Sequence, residues 1–274
     1  MLKEMLENVR RTCPLIHNIT NYVTVNDCAN MLLACGGSPI MADEEQEVED
    51  ITAICGGLNI NIGTLNQRTI AAMHKAGRKA NELRHPVVLD PVGAGASALR
   101  TQTAKELLEN ISFTVIRGNI SEIKALALGQ GATRGVDAGV EDAVTKENLA
   151  QAIAFAKAFS AKTGAVIAIT GAIDIVADAG RAYCIFNGHP MMSSITGTGC
   201  QLSAIAAAYV TANPEHLLEA AAAAVCAMGV CGEIAYERLG EADGNAAYRN
   251  YIIDAMYHLS GEMLEKKAKY EVYE

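Results

Sequence analysis

A polar turn leads directly into an alanine-rich run at residues 193–209, which read SSITGTGCQLSAIAAAY. Glycine permits positive φ and close approach of a ligand to the backbone. The first amides of a helix lack helical partners and carry partial positive charge. This stretch therefore predicts an anion hole for a phosphate group, made by the backbone amides of Gly197, Thr198, Gly199 and Cys200. The same field should favour the Cys200 thiolate, although a plain helix start with a buried, inert cysteine is the alternative.

Asp90 ends a predicted strand at 86–90 and opens the segment DPVGAG. A carboxylate at a strand end suits Mg²⁺ or phosphate-site chemistry, and it could instead cap a turn. The glycine spacing after it superficially resembles a dinucleotide fingerprint. Pro91 interrupts the approach to the first glycine, and no acidic residue follows at the required distance, so we disfavour that interpretation.

The segment RGNISE at residues 117–122 follows another predicted strand. Asn119 and Glu122 are three residues apart at a helix start, so they can share one face and hold a hard cation through water. The same spacing is also that of a capping box. Arg117 can donate to a nucleotide phosphate. Thr170 ends the predicted strand at 165–170, where a threonine is commonly a turn cap.

Strands and amphipathic helices alternate along most of the chain, which favours a parallel sheet with crossover helices. Two antiparallel strands are predicted at 174–179 and 181–186, with Asn187-Gly188 as a hairpin-turn signal. Long helices are predicted at 215–239 and 244–267. Residues 129–144 are predicted to form a surface loop, with a lid over a nucleotide as the alternative. With no internal repeat or linker, residues 1–274 are expected to form a single three-layer α/β/α domain.

Composition limits the classes of partner. The net charge is −9 and no basic stripe is present, which argues against nucleic acid or an anionic membrane as a partner. We expect no membrane span and no signal sequence, because long apolar runs are missing and residues 1–11 are charged throughout. Eight cysteines are scattered without C-x-x-C pairs, which indicates reduced thiols and a cytoplasmic location.

Three motifs, DPVGAG, RGNxxE and TGTGC, occur in an order that resembles the hydroxyethylthiazole kinases, thiamine-pathway members of the ribokinase-like superfamily. The resemblance covers nearly the whole chain. It implies a ribokinase-like fold and an enzyme that uses ATP and Mg²⁺ to phosphorylate the primary alcohol of 4-methyl-5-(2-hydroxyethyl)thiazole. The residues by themselves indicate only a small-molecule kinase.

The resemblance also implies roles for individual residues. Cys200 occupies the position of the base, which is usually Asp in the wider superfamily. Because proton removal matters little when the transition state is loose, we expect Cys200 to assist turnover without being indispensable. Arg117 and Thr170 would bind ATP. Mg²⁺ would be held by Asp90, Asn119 and Glu122, the last through water.

For the thiazole alcohol, the resemblance implies contacts from Gly197, from Met41 in the segment SPIMA, and more weakly from Asn21. A polarizable thioether suits a flat sulfur-containing ring. Family members resemble homotrimers with sites at subunit boundaries, so Met41 would serve a neighbour's Cys200. Three alternatives stay open: a hydroxymethylpyrimidine-type kinase, a nucleotide-dependent hydrate dehydratase, and a non-catalytic protein that binds nucleotide or thiazole.

Overall fold

The structure, a computed structural model, describes residues 1–128 and 143–274. The predicted loop or lid at 129–144 therefore lies almost entirely outside the described residues. The described strands are β1 (Leu15–Ile19), β2 (Ser38–Met41), β3 (Gly57–Asn61), β4 (Val87–Asp90), β5 (Val115–Asn119), β6 (Val166–Thr170), β7 (Asp174–Ala177), β8 (Ala182–Ile185) and β9 (Tyr270–Tyr273). The described α-helices are α1 (Leu2–Thr12), α2 (Val25–Cys35), α3 (Val48–Ile54), α4 (Gln67–Glu82), α5 (Ala98–Asn110), α6 (Ile120–Leu128), α7 (Leu149–Thr163), α8 (Thr198–Ala212), α9 (Leu217–Glu237), α10 (Asn245–His258) and α11 (Gly261–Lys267), with a 3-10 helix at Pro190–Ser194.

The strands form one sheet in the order β2-β1-β3-β4-β5-β6-β7-β8-β9. Strands β1 to β6 pair in parallel, and β7, β8 and β9 continue the sheet in antiparallel fashion. Parallel neighbours need crossover helices, which explains the alternation of elements in the first part of the chain. The expected α/β fold, with a mostly parallel sheet and an antiparallel hairpin near residues 174–187, is confirmed.

Helices cover both faces of the sheet, which gives the three layers. Successive strand residues point to opposite faces, so Val88 belongs to one buried cluster and Leu89 to the other. The Val88 cluster also contains side chains of α1, α2, α8, α9 and α10. The Leu89 cluster contains side chains of α4, α5, α6 and α7. Burial on both faces is why the parallel strands consist of nearly continuous apolar runs.

Helix α9 is apolar enough, and at 21 residues long enough, to cross a membrane, and it is the one such helix in the described part of the chain. Its most apolar 18-residue window is 78% buried inside the protein. The helix packs between α8 and α10 through alanines such as Ala223 and Ala227, which are completely buried. It is therefore placed as a core helix of the fold.

Two sequence predictions were wrong in detail: the single helix at 244–267 and the hairpin turn at Asn187-Gly188. The helix expected at 244–267 is divided at Leu259, which is extended and buried, and Ser260 then caps α11 by accepting from the Met263 amide. The chain also ends in a strand, β9, that was not predicted. The β7–β8 hairpin turns at Asp178, not at Asn187-Gly188. Asn187 instead bonds the backbone of Lys267 and Lys269 and so anchors β9.

A row of polar residues lies at the carboxyl ends of the parallel strands, on one face of the sheet. Asn61, Asp90, Arg117 and Thr170 lie at or near the ends of β3, β4, β5 and β6. Because alternate residues share a face, Asp90 lies on the side of Val88, whose buried cluster includes α8. The same alternation puts the other three on that side. Helix α8 therefore begins directly over this row, as expected for a ligand site in an open α/β sheet.

Candidate active site

The turn before α8 requires glycine at residue 197. Gly197 has φ +89°, and a Cβ there would lie 2.3 Å from Thr24 Cγ2. Its carbonyl accepts from the Gln201 amide at 2.9 Å, so the helix starts at Thr198. The amides of the first turn consequently have no helical acceptor, which is the arrangement that binds anions. The predicted helix start at this turn is confirmed, and the anion hole itself stays a prediction.

Arg117 lies against this turn. A Cβ on Gly199 would be 2.4 Å from Arg117 Nη1, so the guanidinium occupies the space that a side chain would take. Arg117 Nη2 donates to Thr170 Oγ1 at 2.5 Å, and Nη1 is 3.5 Å from Asp90 Oδ1. These contacts fix a cation beside the free amides of α8. The two residues predicted to bind ATP are thus in direct contact.

Asp90 is completely buried below Arg117. Its Oδ2 accepts from Asn61 Nδ2 and from Ser203 Oγ, both at 2.8 Å. Among the residues that the structure describes, its Oδ1 has no hydrogen-bond donor, only the nearby charge of Arg117. Burial raises the pKa of Asp90, and the Arg117 charge opposes that rise. The Asp90 carboxylate therefore makes its contacts with other groups of the protein, and these contacts link β3, β4, β5 and α8.

Cys200 is linked to Asp90 through two amide side chains. Asn21 Nδ2 donates to Cys200 Sγ at 3.0 Å and to Asn61 Oδ1 at 3.1 Å, and Asn61 in turn donates to Asp90. Asn21 is itself held because its Oδ1 accepts from the Thr24 amide and hydroxyl. A buried hydrogen-bond chain thus runs from the start of α8 to the Asp90–Arg117 pair.

The prediction that Cys200 ionises readily is wrong. Cys200 is only 8% exposed, and burial, followed by the negative charge of Asp90, raises the pKa of its thiol. Hydrogen bonds from Thr24, Asn21 and Asn61 favour the thiolate, but the net direction is upward. Loss of hydration and the charge of Asp90 therefore outweigh these hydrogen bonds, and the pKa of Cys200 lies above its ordinary value.

Asn119 and Glu122 form the capping box that the sequence left as an alternative. The Glu122 amide donates to Asn119 Oδ1 at 2.8 Å, and the Asn119 amide donates to Glu122 Oε2 at 2.9 Å. Glu122 Oε1 accepts from the Gly93 amide and so ties the DPVGAG segment to α6. Among residues 1–128 and 143–274, no three His, Cys, Asp or Glu side chains are arranged to hold a metal ion.

A cavity of about 530 Å³ opens beside Arg117. It is lined by Arg117, Thr170, Thr198 and Gly199, by the apolar side chains of Phe186, Val225 and Met228, and by polar residues such as Asn187 and His189. Asp174 also lines it. The carboxyl ends of the strands, the start of α8 and the side of α9 therefore border a volume that offers both a cation and apolar side chains.

Met41 lies elsewhere. It ends β2, the edge strand of the sheet, and its half-buried side chain packs against the core cluster of Cys200. It is not among the residues that line the cavity. The structure therefore groups Arg117, Thr170, Thr198 and Gly199, attaches Asn21 and Cys200 through hydrogen bonds, and leaves Met41 at the sheet edge.

Three residues of the site were missed by the sequence interpretation. Asn61 ends the alternating segment NIN, and this pattern could have identified it as a polar residue at a strand end. Ser203 lies one turn after Gly199 on α8, and this spacing places both residues on the same face of the helix. Asp174 gave no signal, because an acidic residue at the start of a hairpin strand is ordinary.

A mostly parallel sheet covered on both faces, with a helix start and a fixed arginine at its carboxyl edge, defines an open α/β protein with a ligand site for an anionic group. In the pyridoxal kinase of Staphylococcus aureus, solved with AMP-PCP, the same fold recurs with a TM-score of 0.61 at 14% identity, covering 94% of this chain and 97% of that one. At this low identity the likeness concerns the fold alone.

Sequence comparison narrows the class. The family model "Hydroxyethylthiazole kinase family" matches residues 6–262. The hydroxyethylthiazole kinase of Clostridium acetobutylicum is 68% identical over 273 residues, covering 100% of both chains. That of Desulfovibrio desulfuricans is 50% identical, covering 97% of this chain and 96% of its own. The hydroxyethylthiazole kinase structure from Pyrococcus horikoshii OT3 superposes with a TM-score of 0.88 at 36% identity, covering 100% and 99% of the two chains.

The chain belongs to the hydroxyethylthiazole kinase family, and the predicted family membership is confirmed. It is accordingly a phosphotransferase with ATP as co-substrate. The dehydratase and pyrimidine-kinase alternatives lose their support, because relatives at 68% and 50% identity over nearly the full length carry the thiazole kinase name.

Proposed function

We propose that this enzyme transfers the γ-phosphoryl group of ATP to the hydroxyl of 4-methyl-5-(2-hydroxyethyl)thiazole, for thiamine synthesis or salvage. The observation that carries the proposal is the cavity in which Arg117 and the first amides of α8 share one end, with Cys200 immediately adjacent. Phosphoryl transfer depends mainly on positioning and charge stabilisation, and this corner supplies both.

In this scheme the triphosphate lies toward Arg117 and Thr170, and the transferred group meets the amides of Thr198 and Gly199. A fixed guanidinium and fixed amide donors need little reorganisation when charge moves to the equatorial oxygens. The hydrogen bond from Arg117 to Thr170 keeps the guanidinium oriented before the nucleotide arrives. Each donor lost at such a position typically costs about 10²–10³-fold in rate.

Cys200 then assists the acceptor hydroxyl without acting as a strong base. Its raised thiol pKa keeps it protonated, and its sulfur already accepts from Asn21. In a loose transition state the hydroxyl proton leaves late and can pass to an oxygen of the transferred phosphoryl group, so the step does not depend on a strong base. Cys200 and Asn21 serve mainly to place the hydroxyl in line with the phosphoryl group.

Mg²⁺ would enter with the nucleotide and neutralise phosphate charge. Both Glu122 oxygens accept backbone amides, Asn119 Oδ1 accepts the Glu122 amide, and Asp90 Oδ2 already has two donors. Each of these oxygens retains some acceptor capacity, whereas Asp90 Oδ1, which has no donor among the described residues, is buried away from solvent. This donor set would suit a hydrated ion held through water mainly by Glu122 and Asn119, with Asp90 contributing its charge from below.

The thiazole ring would contact Gly197, Asn21 and Met41. We propose a homotrimer in which Met41 of one subunit completes the pocket beside Cys200 of another. The position of Met41 on an edge strand, outside the nucleotide cavity, supports a role at a subunit boundary. Residues Tyr22 and Val23, which follow β1 next to Asn21, are 78% and 58% exposed and would be covered in such an assembly.

A coupled assay of ADP release tests the function with three samples: the thiazole alcohol, the hydroxymethylpyrimidine alcohol and no acceptor. We expect turnover with the thiazole alcohol alone. Release that is independent of acceptor, or faster with the pyrimidine, would refute the proposal.

Sedimentation analysis tests the trimer, which a monomer at assay concentration would exclude. We also propose a cytoplasmic enzyme in which residues 1–274 form one domain, since a single sheet runs from β2 to β9.

A further inference from the structure

Asp174 is an acidic residue in the wall of a cavity that should receive a polyanion. It starts β7, and the alternation of that strand puts it on the side of Val176, the face on which Arg117 and Thr170 also lie. Its partner across the antiparallel pair is Ile185, and the next residue, Phe186, lines the apolar part of the cavity. In the sheet, β7 lies between β6, which ends at Thr170, and β8, which is followed by Phe186, so Asp174 lies between these two lining residues.

One oxygen of Asp174 has a structural role. Oδ1 accepts from the Gly171 amide at 2.8 Å and so caps the turn between β6 and β7. Burial raises the pKa of Asp174 to about 7, while the Gly171 amide and the Arg117 charge lower it. Among residues 1–128 and 143–274, no ion pair holds this side chain in the way that Arg117 holds Asp90. Its second oxygen accepts no hydrogen bond from these described residues, and the side chain lines the cavity.

Of the three parts of a nucleotide, only the sugar is a suitable partner for the second oxygen of Asp174. Phosphates would be repelled by a carboxylate, and the apolar wall of Phe186, Val225 and Met228 suits the base. The sugar lies between base and phosphates, and its two adjacent hydroxyls are donors. Acidic side chains accept hydrogen bonds from ribose hydroxyls in other nucleotide-binding folds for the same reason. Both the position and the charge of Asp174 therefore favour a contact with the sugar hydroxyls.

We propose that Asp174 is the residue that recognises the ribose hydroxyls of the nucleotide and makes the enzyme select ribonucleotides over deoxyribonucleotides. The inference rests on the proposed function, because it places ATP in this cavity. A hydrogen bond to a charged group is worth enough to give about 10- to 100-fold discrimination, and each missing hydroxyl should lose about that much.

The test compares kcat/KM for ATP, 2′-deoxy-ATP and 3′-deoxy-ATP, with the thiazole alcohol as acceptor. The variant Asp174→Asn keeps an oxygen for the Gly171 amide but loses the charge. We expect the wild type to prefer ATP by about 10- to 100-fold, and Asp174→Asn to reduce this preference to about threefold or less. Asp178→Asn is the matched control, because Asp178 caps the other end of β7 through the Gly180 and Arg181 amides and lies outside this cavity.

A residue that only caps a turn would change the rates for all three nucleotides alike and leave their ratio intact. An unchanged ratio in Asp174→Asn, or equal use of all three by the wild type, would therefore overturn the proposal. If no acceptor supports turnover, the proposed function fails independently. Calorimetric Kd values for ATP and the two deoxy analogues then decide the role of Asp174 by the same ratio.

Discussion

The contact between Gly199 and Arg117 gives a prediction whose size follows from the coordinates. In Gly199→Ala the new Cβ would lie 2.4 Å from Nη1, 2.7 Å from Nη2 and 2.9 Å from Cζ of Arg117, whereas ordinary contact begins at 3.4 Å. The guanidinium must therefore move by about 1 Å. It is bonded to Thr170 and paired with Asp90, so the displacement breaks or stretches contacts on its far side.

A displacement of about 1 Å at reacting groups can cost about 100-fold in rate, which corresponds to about 2.7 kcal/mol. We expect kcat/KM for ATP in Gly199→Ala to fall by about that factor in the coupled ADP-release assay. Folding stability should change little, because alanine is the better helix former by up to about 1 kcal/mol. Activity and stability would thus separate, which distinguishes a displaced arginine from a damaged fold.

Gly244→Ala is the matched control, since a Cβ there meets nothing within 4 Å. It should keep wild-type kcat/KM. If Gly199→Ala keeps kcat/KM within about threefold of wild type while its thermal midpoint is unchanged, the argument that this arginine must stay fixed against the turn is wrong. A fall in both quantities would instead point to unfolding, and Arg117→Ala would then have to lose ATP affinity without losing stability.

Three further outcomes can be measured. Cys200→Ala should retain measurable turnover, with kcat lower by about 10²-fold or less, and Cys200→Asp should be active; complete loss at unchanged substrate affinity would contradict an assisting role. Asp90→Ala removes a completely buried carboxylate that pairs with the half-buried Arg117 and should lower the free energy of unfolding by about 3–5 kcal/mol, whereas the exposed Asp254→Ala should cost about 1 kcal/mol or less, both by urea denaturation. Burial lowers the pKa of His17, so the unfolded chain binds the proton first and the stability that His17 contributes should be lost as the pH drops below about 6.5; the free energy of unfolding of the wild type minus that of His17→Gln should therefore decrease over that range, and a difference that does not depend on pH would contradict it.

The sequence predicted those parts of the fold that depend on local pattern. Alternating helices and apolar strands indicated the parallel sheet, and the strands predicted at 86–90 and 165–170 are found as β4 and β6. The break at Leu259 and the strand β9 could not be predicted in the same way, because both depend on distant partners. Helix α11 packs on α1, and β9 forms only because β8 offers an edge.

The site was predictable in its members and less so in its energetics. Motif spacing indicated the turn at 197–200 and Arg117, but the contact from Asn21 to Cys200 spans 179 positions and needs the fold. The pKa of Cys200 was misjudged because the helix field is local and visible in sequence, whereas burial and the charge of Asp90 come from tertiary packing. Desolvation by residues that are distant in sequence decides the direction in which the pKa of Cys200 shifts, and sequence spacing carries no information about it.

The buried Asp90 connects the two substrates of the proposed reaction. On one side it pairs with Arg117 at the nucleotide end, and on the other it receives Asn61, which leads through Asn21 to Cys200 at the acceptor end. A displacement of Arg117 or of Cys200 would therefore change the hydrogen bonds that position the other residue. Such a carboxylate adds little net stability, since burying it is costly. Its value lies in fixing the distance between the phosphoryl donor and the hydroxyl, which is what an in-line transfer requires.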